Sequence, residues 1–97
     1  MELYIEQTLQ QGITAHKEGK IHDAERFYRA ILKCQPTHAD ANHQLGLLIS
    51  SVNKVGVAIP MFKLALEADP KNERFWFSYI DALIKEKQFD NASHMLE

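Results

Sequence analysis

Five histidines and one cysteine are the side chains in this 97-residue chain best suited to hold a metal ion: His16, His22, His38, His43, His94 and Cys34. Two imidazoles grip one ion from a helix when they stand four residues apart on one face, with an acidic helper beside them. No two histidines here have that spacing. Cys34 and His38 do, but Pro36 stands between them and interrupts any helix. The expectation is therefore solvent-facing histidines, Cys34 as a small apolar residue near a helix end, and neither metal nor cofactor. Catalysis is equally unsupported. Carboxylates alternate with bases in "KEGKIHDAERFYR", Lys17 to Arg29, as on a solvated face. The four glycines are isolated and make no phosphate-cradling loop. No Ser–His–Asp or Cys–His arrangement can be argued without a cleft. No catalytic residue is assigned, and this segment is not expected to be an enzyme.

The bulk properties narrow the class. Hydrophobic residues make up 45% and charged residues 25%, as in an ordinary globular domain. A net charge of −2 gives no electrostatic footing for nucleic acid. One cysteine cannot form an intramolecular disulfide, which points to a reducing, cytoplasmic setting. No apolar run approaches the roughly 18 residues that a membrane span requires. The opening "MELYIEQTLQQG" lacks the basic and apolar regions of a secretory signal.

The elements that must position any functional residue announce themselves by repetition. "RAILKCQPTHADAN", Arg29 to Asn42, and "KLALEADPKNERFW", Lys63 to Trp76, share one grammar: an apolar helical run, a proline, a few polar residues, a new helix. Pro36 and Pro70 are 70 − 36 = 34 residues apart. The same shift of 34 carries Gly12 to Gly46, Ala24 to Ala58, Tyr28 to Phe62 and Leu32 to Leu66. It also carries Asn42 to Trp76, Leu45 to Tyr79, Ile49 to Leu83 and Ala58 to Ala92. The chain resembles the tetratricopeptide repeat, a helix–turn–helix unit of about 34 residues. "LGLLI" at Leu45 to Ile49 matches the family's Leu-Gly-x-x-Tyr, Trp76 its tryptophan, Ala24, Ala58 and Ala92 its small residue, Tyr28 and Phe62 its aromatic, and Pro36 and Pro70 its closing proline.

The resemblance implies an all-α fold, one domain over 1–97, of antiparallel helix-turn-helix repeats stacked as a short right-handed α-solenoid. The repeats run 5–38, 39–72 and 73–97, the last incomplete, as in the N-terminal part of a longer bacterial protein. Leu96-Glu97 reads as a tag scar. Six helices are expected: 3–18, 21–34, 38–52, 55–68, 73–86 and a short 89–95 begun by Phe89, Ala92 and Met95. Thr37 and Asn72 are the expected N-caps of the third and fifth helices, with Asp40 in the first turn of the third. Thr8 and Gln11 are polar where apolar residues are expected, as suits an end with no preceding repeat. Pro60 forfeits a backbone bond to Gly56 and predicts a bend or a late helix start.

By the same resemblance, the first helix of each repeat lines a concave groove. The residues assigned to partner binding are Leu9, Gln10, Ile13, His43, Gln44, Leu47, Arg74, Phe77, Ser78 and Asp81. Ser50, Ser51, Ile84 and Lys85 are also expected to face inward, and Gln10, Gln44 and Ser78 to form a polar ladder for a peptide backbone. The implied function is a protein–protein interaction module for a peptide or partner domain, with no nucleic acid and no membrane insertion. A clamp for chaperone carboxylate tails is not implied, because only Arg74 fits its pattern. The alternatives are self-assembly, as a weak homodimer through an uncovered C-terminal face (Phe75, Phe77, Tyr79, Phe89), or an accessory domain of a glycosyltransferase, sulfotransferase or methyltransferase.

Overall fold

The computed structural model describes the backbone of residues 4–96 and the side chains of residues 4–87. Among the described residues five α-helices follow one another: α1 (Ile5–Lys17), α2 (Ile21–Cys34), α3 (Ala39–Ser51), α4 (Val55–Ala68) and α5 (Glu73–Leu96). No strand occurs among the described residues. Each helix packs on its chain neighbour, while α3 also touches α1 and α5. Packing of this kind is consistent with a helical repeat.

The contact that sets the distance between paired helices is a glycine against an aromatic ring. A Cβ added to Gly12 would lie 2.5 Å from the Tyr28 ring, and one added to Gly46 would lie 2.6 Å from the Phe62 ring. Real carbon atoms do not approach so closely, so each ring sits where only glycine lets it. Both rings are buried, at 0% and 2% exposure, and cannot swing aside. Ala24, Ala58 and Ala65 are wholly buried. Their small side chains serve the same closeness on the opposing helices.

The hairpins close through one turn used twice. In the first, Gly19 is left-handed (φ 78°), and in the second Asn53 is (φ 65°). The amide of Lys20 donates to the Ala15 carbonyl at 2.8 Å, and that of Lys54 to the Ile49 carbonyl at 3.2 Å. Gly19 and Asn53 donate to His16 and Ser50. These are the paired bonds of a Schellman cap, which satisfies the last carbonyls of α1 and α3. The links between hairpins also repeat. Gln35 and Asp69 donate to the Ile31 and Ala65 carbonyls, and His38 and Asn72 to Gln35 and Asp69. The cap of α3 is His38, whose Nδ1 accepts from the Ala41 amide at 3.0 Å, rather than the expected Thr37. Asn72 caps α5 as expected, accepting from the Phe75 amide. An unforeseen pair of bonds ties these links down. The Asn42 amide donates to the carbonyls of Pro36 and His38, both at 3.1 Å, and the Trp76 indole donates to the Pro70 carbonyl at 2.6 Å.

Several expectations change. Thr8 is buried rather than presented to a missing neighbour, and its hydroxyl donates to the Tyr4 carbonyl. Helix α4 begins at Val55 and runs through Pro60, so no late start occurs. The expected fifth and sixth helices are one helix of 24 residues. The position 34 beyond Asn53 is Lys87, which lacks the short polar side chain that makes the left-handed region accessible. Turning there costs a lysine about 1–2 kcal/mol. "IKEKQ", Ile84 to Gln88, contains only residues content in a helix, so the helix continues. The side chains of Phe89, Ala92 and Met95 lie outside the described residues.

Gly46→Ala is expected to destabilise the chain. The gain in helix propensity is about 1 kcal/mol, against an overpacking cost of about 1–3 kcal/mol that the immobile Phe62 ring pushes to its upper end. Adding Phe62→Leu recovers part of the loss, and urea titrations of both variants measure the coupling. Tyr28→Phe has the opposite expectation. Burial pushes the Tyr28 phenol up to about 12 and its hydroxyl has no protein partner. Removing that hydroxyl leaves stability unchanged or raises it by about 1 kcal/mol, as the phenylalanine at position 62 already suggests; a clear loss on denaturation would contradict this.

Candidate functional site

Between α3 and α5 lies a hollow of about 280 Å³, lined by Leu47, Ser50 and Ser51 from α3 and by Phe77, Ser78, Asp81 and Lys85 from α5. Phe62 and Ala82 complete its lining. The spacing follows from helix geometry: residues three or four apart share a face, so each helix offers one stripe. Phe77 is 73% exposed and stands over the hollow as a free ring. At the rim, Lys85 pairs with Asp81 at 3.0 Å, and both remain substantially exposed. The Ser51 hydroxyl donates to its own helix at the Leu48 carbonyl.

Behind this surface sits His43. It is 3% exposed, with its ring centroid 4.7 Å from that of Phe75 and 5.8 Å from that of Phe62. Its Nε2 lies 2.8 Å from the Ser78 hydroxyl, the bond direction following the imidazole tautomer. Burial lowers its pKa, and Arg74 lowers it further, while Asp40 opposes them. His43 is therefore a neutral imidazole that fastens α3 to α5. A serine within reach of a histidine is also the beginning of a nucleophilic pair. Here the other requirements are missing among the described residues: no carboxylate hydrogen-bonds the imidazole, and the walls are helices whose amides are already used within the helix. The contact is a structural tie.

The structure brings together Leu47, Phe77, Ser78 and Asp81 of the expected groove residues, with Ser50, Ser51 and Lys85. It places the others elsewhere. Leu9, at 4% exposure, belongs to the core around Tyr28 and Leu45, and Ile13 packs against that core. His43, expected to face solvent, is the most deeply placed of the described histidines because Phe62 and Phe75 enclose it. Arg74 is exposed but does not line the hollow. Gln10 lines a separate depression with Gln11, Thr14, Asp23 and Phe27. Gln44 is half-buried and lines neither, so the expected ladder of Gln10, Gln44 and Ser78 does not run through one hollow. Sequence reasoning missed Phe62 and Ala82; Ala82 stands four residues after Ser78, a small residue that leaves the hollow room. Cys34 is an exposed free thiol rather than a packed apolar residue. Among the described residues, no three His, Cys, Asp or Glu side chains gather around a metal position, and no helix is long and apolar enough to cross a membrane. No family model matches the chain.

The burial of His43 carries a pH dependence. Its folded pKa lies below the ordinary 6.5 of the unfolded chain. The unfolded state thus binds the proton first, and stability falls as pH drops below that ordinary value. Chemical denaturation at pH 7.5 and pH 5.5 is expected to show lower stability at the acidic end, with a smaller difference in His43→Gln. An unchanged slope in the variant would mean that other groups carry it.

Proposed function

We propose that this chain is a protein-binding module of the tetratricopeptide type, and that its partner is a peptide or a short segment of another protein. The reading rests on the hollow between α3 and α5, above all on Phe77, an aromatic ring left 73% exposed over a concave surface. Exposed apolar surface beside a depression marks interaction sites, and the 34-residue spacing of Gly12, Gly46, Tyr28, Phe62, Pro36 and Pro70 supports the family. In this reading the helix pairs stack as a right-handed solenoid, and its inner surface runs through Leu47 and Phe77.

The chemistry of the hollow defines what fits. Leu47, Phe77 and Ala82 offer apolar contact to one side chain of the partner. Ser50 and Ser51 offer hydroxyls at its edge. The Asp81–Lys85 pair presents both charges, so the partner's charge is not strongly selected, unlike the positive grooves that take acidic tails. An exposed thiol at Cys34 suits a reducing, cytoplasmic setting.

The test is selection of peptides from a displayed library on the chain, followed by titration of the winners by fluorescence polarisation. Phe77 is exposed, so Phe77→Glu leaves the fold intact by circular dichroism. It is expected to weaken binding at least about tenfold, as loss of an aromatic anchor does. Peptides that bind wild type and Phe77→Glu equally well would place the interaction outside this hollow.

A further inference from the structure

A second surface, separate from the hollow, is left open by α5. In the first hairpin, Gly12 faces the Tyr28 ring of α2, and in the second Gly46 faces the Phe62 ring of α4. The corresponding residue of α5 is Ile80, and it is 49% exposed. Beside it Trp76 is 46% and Leu83 is 42% exposed. These residues stand where a returning helix covers α1 and α3. Among the described residues helix α5 has no such cover, because it runs on to Leu96 instead of turning at Lys87. The chain nevertheless carries what a returning helix needs. Residues 89–96, "FDNASHML", have Phe89 and Ala92 in the register of Val55 and Ala58, two buried residues of α4. A 24-residue helix is about 36 Å long, so this segment points away from the seat on its own α5.

We propose that a second copy of this chain fills the seat. Two α5 helices lie antiparallel about a two-fold axis, and residues 89–96 of each cover Trp76, Ile80 and Leu83 of the other. The contact is an exchanged hairpin: the turn that Gly19 and Asn53 make possible is absent at Lys87, and the helix that would have folded back pairs with its counterpart instead. Register supports this occupant, since the same symmetric contact uses both seats and both segments. Area supports it too. At roughly 200 Å² for a large apolar side chain, three side chains about half exposed leave about 300 Å² per copy, within the range of the biggest apolar patch of a typical monomer. Two seats and an equal area on the segments that fill them come to about 1,200 Å², the lower end of the range for a specific interface.

Sedimentation equilibrium and light scattering on the intact chain test this. A concentration-dependent dimer with a dissociation constant in the range of about 1–100 µM is expected. Ile80→Glu with Leu83→Glu changes exposed positions, so the fold is kept by circular dichroism, while dimerisation weakens by at least about 100-fold. Lys87→Gly supplies the left-handed residue that the turn lacks. It is expected to let the hairpin close within one chain and to shift the population toward monomer at least about tenfold. Lys87→Ala favours helix and keeps the dimer. A chain monomeric up to about 1 mM, a dimer indifferent to the charges at Ile80 and Leu83, or a dimer lost in Lys87→Ala would overturn the proposal. A dimer unchanged by Lys87→Gly would overturn the exchange.

Discussion

The distance between the helices of each pair is set by a ring lying on a bare backbone. Tyr28 against Gly12 and Phe62 against Gly46 are closer than any side chain on the glycine would permit. The glycines weaken their helices in isolation, by about 0.5–1 kcal/mol each. Burial of an aromatic side chain more than offsets this, at about 1.5–3 kcal/mol. The neighbouring contacts follow from the spacing thus imposed: small residues at Ala24 and Ala58, short three-residue turns, and clusters of core residues in which Leu45, Leu48 and Ile31 interlock. Ile80 stands at the glycine position of α5, and among the described residues no close-packed hairpin partner follows it, because α5 continues to Leu96.

The links between helix pairs are held by a second kind of contact, a side-chain N–H donated to a proline carbonyl. Prolines at 36 and 70 end the preceding helices and leave carbonyl groups pointing into the junction. Asn42 and Trp76 look unrelated, yet each donates a side-chain N–H to the proline carbonyl six residues earlier. Asparagine does this from a fully buried site and tryptophan from a half-exposed one. The shared requirement is a donor at that height on the helix, and the two side chains satisfy it with different sizes.

The hollow between α3 and α5 exists because His43 holds the two helices at a fixed separation through Ser78, with Phe62 and Phe75 around it. Burial keeps the imidazole neutral, which suits a group enclosed by aromatic rings. The surface polar groups contribute less. The ion pairs of Lys20, Arg26, Arg29 and Lys85 are exposed, and such pairs typically stabilise by no more than about 1 kcal/mol. The two open apolar regions, Phe77 over the hollow and Trp76, Ile80 and Leu83 on the face beside it, are the parts of α5 that its packing against α3 and α4 leaves unsatisfied.

Much of this was legible in the residues alone. The 34-residue spacing located the first four helices, because proline, glycine and apolar period are local properties that tertiary context rarely overrides. Asn72 as a cap could be read the same way, while Leu47, Phe77, Ser78 and Asp81 as neighbours followed from the resemblance to the repeat family. Other features were decided only by the tertiary structure. Leu9 and His43 share helix faces with groove positions, and whether such a face meets solvent or core depends on how far the next helix leans over it. His38 rather than Thr37 caps α3 because the turn brings its ring nitrogen to the Ala41 amide. The continuity of α5 was written in Lys87, but as the absence of a left-handed residue at a position whose importance only the geometry of Gly19 and Asn53 revealed. Sequence by itself determined which segments are helical and where the first four helices stop; packing determined which of their faces are left for another molecule, since exposure belongs to the assembled surface and to no single helix.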